Sequence, residues 1–131
     1  MNRFFISTGS AFAALAVILG AFGAHALKAR LEADQVQVFD TGVRYQMYHA
    51  LALVFLGLLA EKINAKATIY AGYFFIAGIA FFSGSLYLLS TKSILGIESW
   101  KFLGPITPLG GLCFIVGWIL IFISVIKTKQ A

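Results

Sequence analysis

Few side chains in this sequence are equipped for chemistry, and most of them gather in one set. His25, Arg44, Tyr45, Gln46, Tyr48, His49, Ser83, Ser85, Tyr87 and Thr107 are polar residues placed within or at the ends of long apolar runs. Imidazole, guanidinium, phenol, amide and hydroxyl groups together can bind an anion, a lipid headgroup or a quinone carbonyl. The same groups can close into a hydrogen-bond network that fixes helix register, because polar side chains at membrane depth turn inward and find partners there. Tyr45 and His49 are four residues apart, as are Arg44 and Tyr48, so each pair can share a helical face.

Other chemistries are poorly provided for. Nucleophilic catalysis needs a nucleophile activated by an oriented base, yet no Asp or Glu lies within an apolar run, and Asp40 and Glu98 stand only at the edges. No enzyme and no catalytic residue is therefore expected. His25 and His49 would have to face each other at matched depth to ligate a haem, whereas His25 ends one run and His49 lies inside the next. Neither has a Cys, Asp or Glu beside it at the spacing of metal ligands, so neither a metal site nor a cofactor is expected. Cys113 is the only cysteine and cannot form an intramolecular disulfide.

The elements that must carry these residues can be read from composition. Hydrophobic residues make up 60% of the chain and charged residues 11%, against about 45–50% and 25% in soluble domains. A surface this apolar belongs in lipid. Uncharged stretches run from Phe4 to Leu27, Tyr45 to Ala60, Ala67 to Thr91 and Phe102 to Ile126. Three of them reach the roughly 20 residues that a membrane-crossing helix needs. The second would rise only about 24 Å, short of the roughly 30 Å of hydrocarbon, so its helix should start near Thr41 with Arg44 snorkelling to the headgroups. None of the runs alternates polar with apolar, which disfavours barrel strands.

The expected fold is all-α: a polytopic membrane protein, an antiparallel bundle of four transmembrane helices over about 4–27, 41–60, 67–91 and 105–126, forming a single domain over 1–131. Between the first two helices, Ala33, Val36 and Phe39 recur at helical spacing among Glu32, Asp34, Gln35 and Gln37. That pattern suits a short interfacial helix, with a solvated loop as the alternative. Pro105 and Pro108 should open the last helix, where a missing N–H costs least. Arg3 and Ala24-His25-Ala26 resemble parts of a signal peptide, but the intervening run exceeds the usual apolar core of about 7–15 residues. A retained helix is expected.

Lipid gives helices no hydrophobic reason to associate, so small residues that permit close approach are informative. Gly9, Ala13, Ala16, Gly20 and Gly23 form one stripe on the first helix. Gly110, Gly117 and Ser124 form another on the fourth, and Ala77, Ala80 and Gly84 a shorter one on the third. The net charge of +5 comes from residues at the ends of the runs, with no basic stripe interleaved with aromatics, so nucleic acid is not an expected partner. With four spans, Arg3, Lys62, Lys66, Lys127 and Lys129 fall on the side of the termini, and Lys28, Arg30, Arg44, Lys92 and Lys101 on the other. The two sides tie under the positive-inside rule. Counting Arg44 as part of its helix favours cytoplasmic termini.

Five segments in order carry a family resemblance: Gly20-Ala-Phe-Gly-Ala-His-Ala-Leu27, Phe39-Asp-Thr-Gly-Val-Arg-Tyr-Gln46, His49-Ala-Leu-Ala-Leu53, Phe82-Ser-Gly-Ser-Leu-Tyr87 and Ile106-Thr-Pro-Leu-Gly-Gly111. Over nearly its whole length the chain resembles the YwdK/YgdD-like family of small membrane proteins, a domain-of-unknown-function group with relatives in animals. The resemblance implies four helices, a retained first helix and, for a bacterial member, the cytoplasmic (inner) membrane. It brings no assigned catalytic residue. The motif positions it carries over are His25, Tyr45, Gln46, His49, Ser83, Ser85, Tyr87, Thr107 and Pro108, while Arg44 stands where the family pattern often has a less basic residue.

The function expected from these readings is non-enzymatic support or modulation of a membrane assembly, or of membrane integrity. The alternatives are an oligomeric small transporter or channel, or a quinone- or lipid-binding module using the polar cluster in one membrane half. The lipid bilayer is the expected partner, together with a homo-oligomer or a larger membrane complex.

Overall fold

Two asparagines set helix starts. Asn2 accepts a hydrogen bond from the Phe5 backbone N–H at 3.1 Å, and Asn64 accepts one from Ala67 at 3.0 Å. Each satisfies a donor that the first turn of a helix leaves unpaired. The computed structural model describes residues 1–129; Gln130 and Ala131, which the single domain expected over 1–131 includes, lie outside the described residues. Among the described residues the chain is helical, with no strand. Its helices are α1 (Arg3–Leu27), α2 (Ala33–Leu59), α3 (Ala65–Ser90), the single turn α4 (Lys92–Leu95) and α5 (Leu103–Lys127). α1, α3 and α5 are long and apolar enough to cross a membrane.

The second helix differs from the expectation. Neither a separate interfacial helix nor a loop precedes Thr41: α2 runs unbroken from Ala33 to Leu59. Its start is fixed by a capping box, in which Glu32 accepts from the backbone of Gln35 and the Gln35 side chain accepts from the Glu32 N–H. Nothing between Ala33 and Leu59 then breaks the helix, and Phe39 and Gly42 in its first half are buried. Asp34 and Asp40 consequently lie within a helix. Asp40 pairs with Arg44 one turn along at 2.8 Å, on the exposed side of α2.

α1 and α2 pack antiparallel along their lengths. The Asn2 N–H donates to the Gly57 carbonyl at 2.8 Å, Gly9 lies against Ala50, and Gly23 lies against the Phe39 ring. A Cβ on Gly9 would come within 2.6 Å of the Ala50 carbonyl oxygen, so this close approach exists only because the residue has no side chain. α3 and α5 form the other antiparallel pair, with Gly110 against the backbone of Phe82 and Gly117 against Phe75. The core between the pairs holds Phe5, Leu53, Leu56, Phe75, Ile79 and Phe114.

Of the expected small-residue stripes, two face neighbours. Gly9, Ala16 and Gly23 of α1 are buried, with Ala13 and Gly20 half-buried, and Gly110, Gly117 and Ser124 of α5 are all buried. The third stripe does not pack as expected. Ala80 is exposed and Gly84 has open space around it, while α3 buries Ala71, Gly72, Phe75, Gly78 and Ile79 instead. The regular part of the helix already turns Thr68, Ala71, Gly72, Phe75 and Gly78 inward, a face opposite the expected stripe, and a π-wound turn over Ile79–Ser83 re-aims the side chains beyond it. A second π turn, Gly23–Leu27, ends α1. Pro105 lies in the first turn of α5, but Pro108 is inside the helix.

Gly9→Val should destabilise the protein by about 1–3 kcal/mol through overpacking against Ala50 and Val54, read as a loss of thermal stability in detergent. Gly84→Ala, made where a Cβ meets nothing within 4 Å, should be neutral or slightly stabilising.

Candidate functional site

Gln46 sits inside the protein, 2% exposed, where an amide must find partners for both its ends. Its Nε2 donates to the Phe12 backbone carbonyl of α1 at 2.9 Å, and its Oε1 accepts from the Tyr87 hydroxyl of α3 at 2.6 Å. One side chain thus ties three helices. A residue larger than glycine at position 42 would block the arrangement, since its Cβ would lie 2.8 Å from Tyr87 Cε1. The same glycine lets the Ser83 hydroxyl reach the Gly42 carbonyl at 2.7 Å. Farther along α3, Ser85 and Thr107 of α5 share a hydrogen bond at 2.5 Å.

His49 completes the set from the opposite direction. An indole N–H can only donate, so the 3.1 Å bond from Trp118 Nε1 makes His49 Nε2 an acceptor. The proton of the neutral ring then lies on Nδ1, which donates to the Tyr45 carbonyl at 2.7 Å. Both nitrogens are in use. The ring stacks on Phe114 with centroids 3.5 Å apart and meets Phe75 edge-on at 5.2 Å.

The structure therefore brings together Gln46 with Tyr87, Ser83 with the α2 backbone, Ser85 with Thr107, and His49 with α5. It leaves others out. His25 is exposed at the end of α1, and Arg44 is exposed and paired with Asp40. Tyr45 contributes its carbonyl to His49 but turns its ring outward, 40% exposed. The sequence reading missed Trp118 and Phe114, and it missed the Phe12 and Gly42 carbonyls as acceptors. For Trp118 a signal was present: tryptophan prefers the membrane interface, and this one lies well inside an apolar run.

Outside the network, α2 and α5 leave an outward-facing groove of about 610 Å³ between them, lined by Tyr45, Tyr48, His49, Phe114 and Trp118, with Phe82 of α3 and Gly111 at one end. Its walls are mostly aromatic faces: Tyr45 lies 4.8 Å from Phe82 and 5.8 Å from Tyr48, centroid to centroid. A smaller hollow of about 370 Å³, lined by Gly20, Lys28, Gln37 and Asp40 among others, lies where α1 ends and α2 begins.

A family model described as "Protein of unknown function (DUF423)" matches residues 19–111. The UPF0382 membrane protein YwdK of Bacillus subtilis is 46% identical, over 95% of this chain and 98% of its own length. A UPF0382 membrane protein of Staphylococcus aureus is 42% identical over 95% and 97%, and one of Staphylococcus haemolyticus 39% over 95% and 97%. No solved structure matches the chain. The chain belongs to the DUF423 family of membrane proteins.

The Gln46–Tyr87 bond should be visible as coupling. Gln46→Leu strands the half-buried Tyr87 hydroxyl and should cost about 1–3 kcal/mol. Combined with Tyr87→Phe, the loss should fall short of the sum of the single losses by about 0.6 kcal/mol, at most roughly 1.7. Reversible unfolding in mixed micelles measures both.

Proposed function

We propose that this member of the DUF423 family is a four-span resident of the bacterial cytoplasmic membrane that supports or modulates a larger membrane assembly and catalyses no reaction of its own. The observation that carries the reading is how the polar interior is used. Gln46, His49, Ser83, Ser85 and Tyr87 each bond to another side chain or to backbone, and among the described residues no buried side-chain nitrogen or oxygen lacks a partner. Side chains committed in this way hold helices together; a catalytic site instead keeps a nucleophile and base poised for substrate.

Packing supports a fourth span. α2 runs antiparallel beside α1 from the Asn2–Gly57 contact to the Gly23–Phe39 contact. A partner held along its length must cross wherever α1 crosses. The stretch from Tyr45 to Ala60 is uncharged, and the Asp40–Arg44 pair carries the remaining charge toward the headgroups. Cytoplasmic termini are part of this reading, supported by the excess of Lys and Arg on that side once Arg44 counts as helical.

Reporter fusions test the topology. Reporters after Lys62 and at the C-terminus should read cytoplasmic, and one after Ile97 should read external; any other pattern removes the four-span reading. Native mass spectrometry of protein released gently from its own membrane tests the role. A retained partner protein is the expected result, whereas a bare monomer whose deletion leaves the envelope unchanged would rule out an accessory role.

A further inference from the structure

We infer that the groove between α2 and α5 binds the ring of a lipid-soluble quinone from within the bilayer. The inference rests on the four-span reading, because depth is the core of it. Counted at 1.5 Å per residue, Tyr48 lies about 17 Å and Tyr45 about 21 Å from the Leu59 end of α2, and Trp118 about 14 Å from the Lys127 end of α5. With about 30 Å of hydrocarbon, Tyr48 and Trp118 stand near the midplane. Tyrosine and tryptophan ordinarily sit at the two interfaces, where their polar tips are wet.

Trp118 has a partner at this depth, since its N–H bonds to His49. The Tyr45 and Tyr48 hydroxyls differ: among the described residues neither has a hydrogen-bond partner, and both side chains face outward, 40% and 56% exposed. Tyr45 is held in the groove by its ring contact with Phe82. Tyr48 near the middle of the hydrocarbon and Tyr45 nearer the headgroup side are two phenol donors with no acceptor in the acyl chains around them. Their complement is a ligand that brings acceptor oxygens into the hydrocarbon.

That requirement selects the chemistry. Phospholipid ester carbonyls and phosphates stay at the headgroup level, and acyl tails carry no acceptor. A benzoquinone or naphthoquinone on an isoprenoid tail places two carbonyl oxygens on a flat, apolar ring within the bilayer. The groove supplies matching surfaces: Phe82, Phe114 and Trp118 as aromatic walls, in a volume of about 610 Å³, with ring-on-ring contact as the main apolar term. His49 presents only its ring, both nitrogens being in use.

The test uses the full chain in lipid nanodiscs with Trp100→Phe, which leaves Trp118 as the only tryptophan. A short-chain isoprenoid benzoquinone is titrated against Trp118 fluorescence. Quenching should be saturable and should shift to about tenfold higher quinone in Tyr45→Phe or Tyr48→Phe, each of which removes one hydrogen bond at constant shape. Gly111→Leu should abolish the saturable part. A Cβ there has ordinary room, 3.9 Å from Phe82 Cδ2, so the fold holds while the side chain fills the groove. Circular dichroism and melting establish that each variant folds.

Quenching that rises linearly and equally in all variants is partitioning into lipid, and overturns the inference. So does quenching by a bromoacyl phosphatidylcholine that the quinone fails to displace, because the groove then holds an acyl chain. A failure of the four-span reading would appear instead in the reporter fusions, independently of any titration.

Discussion

Hydrocarbon offers a polar group no partner, so each one buried in this protein must be satisfied by the chain itself. Gln46 is where the constraint is tightest. An amide presents donor and acceptor in fixed opposition, and here one end reaches the Phe12 carbonyl while the other receives the Tyr87 hydroxyl. Sliding α1 along α2 by one residue would lose the first bond, and rotating α3 would lose the second. Both slips leave a buried polar atom unpaired, so register is specified by penalty as much as by attraction. Gly42 is a consequence of the same bond, because the Tyr87 ring occupies the space its side chain would take.

Around this fixed point the apolar packing uses a repeated device. Phe5 of α1 is seated on Gly72, Phe114 of α5 on Gly78 of α3, and Phe75 of α3 on Gly117 of α5. In water such rings would be driven together by burial. In lipid they gain from contact area alone, which requires a matching hollow, and a glycine on the facing helix provides it. The pairing of large with absent side chains is why so apolar a chain forms defined contacts.

Much of this was legible in the sequence because membrane helices obey few rules. Run length marked three apolar helices, and glycine and alanine spacing marked the packing faces of α1 and α5. The stripe on α3 was misread because small residues occur on both faces of that helix: Ala71, Gly72 and Gly78 line the face that packs, and Ala77 and Ala80 the one opposite. α2 was begun too late because charge at Asp34 and Asp40 looks like a link, whereas the capping box at Glu32 and Gln35 starts a helix that carries both. In the site, the side-chain donors and acceptors were visible as residue types. The backbone acceptors at Phe12 and Gly42 were not, since any residue supplies a carbonyl and only tertiary contact selects which one. His25 and Arg44 joined the set because an up-down bundle puts them in the same membrane half as the rest, and the structure places both at the surface.

The sequence left the polar set with two competing uses, register lock or ligand site. The structure divides it by helix face. Gln46 and His49 point inward from α2, the amide bonded at both ends and the imidazole at both nitrogens, so these groups serve the contacts between helices. Tyr45 and Tyr48 line the groove from the same helix, each with its ring partly exposed. The two faces meet at His49, whose nitrogens belong to the lock and whose ring belongs to the groove. Trp118 is shared likewise: its N–H orients the histidine and its indole forms a wall. A groove built on residues that also fix helix register is held in shape by the protein's own stability, which is the condition for a preorganised site.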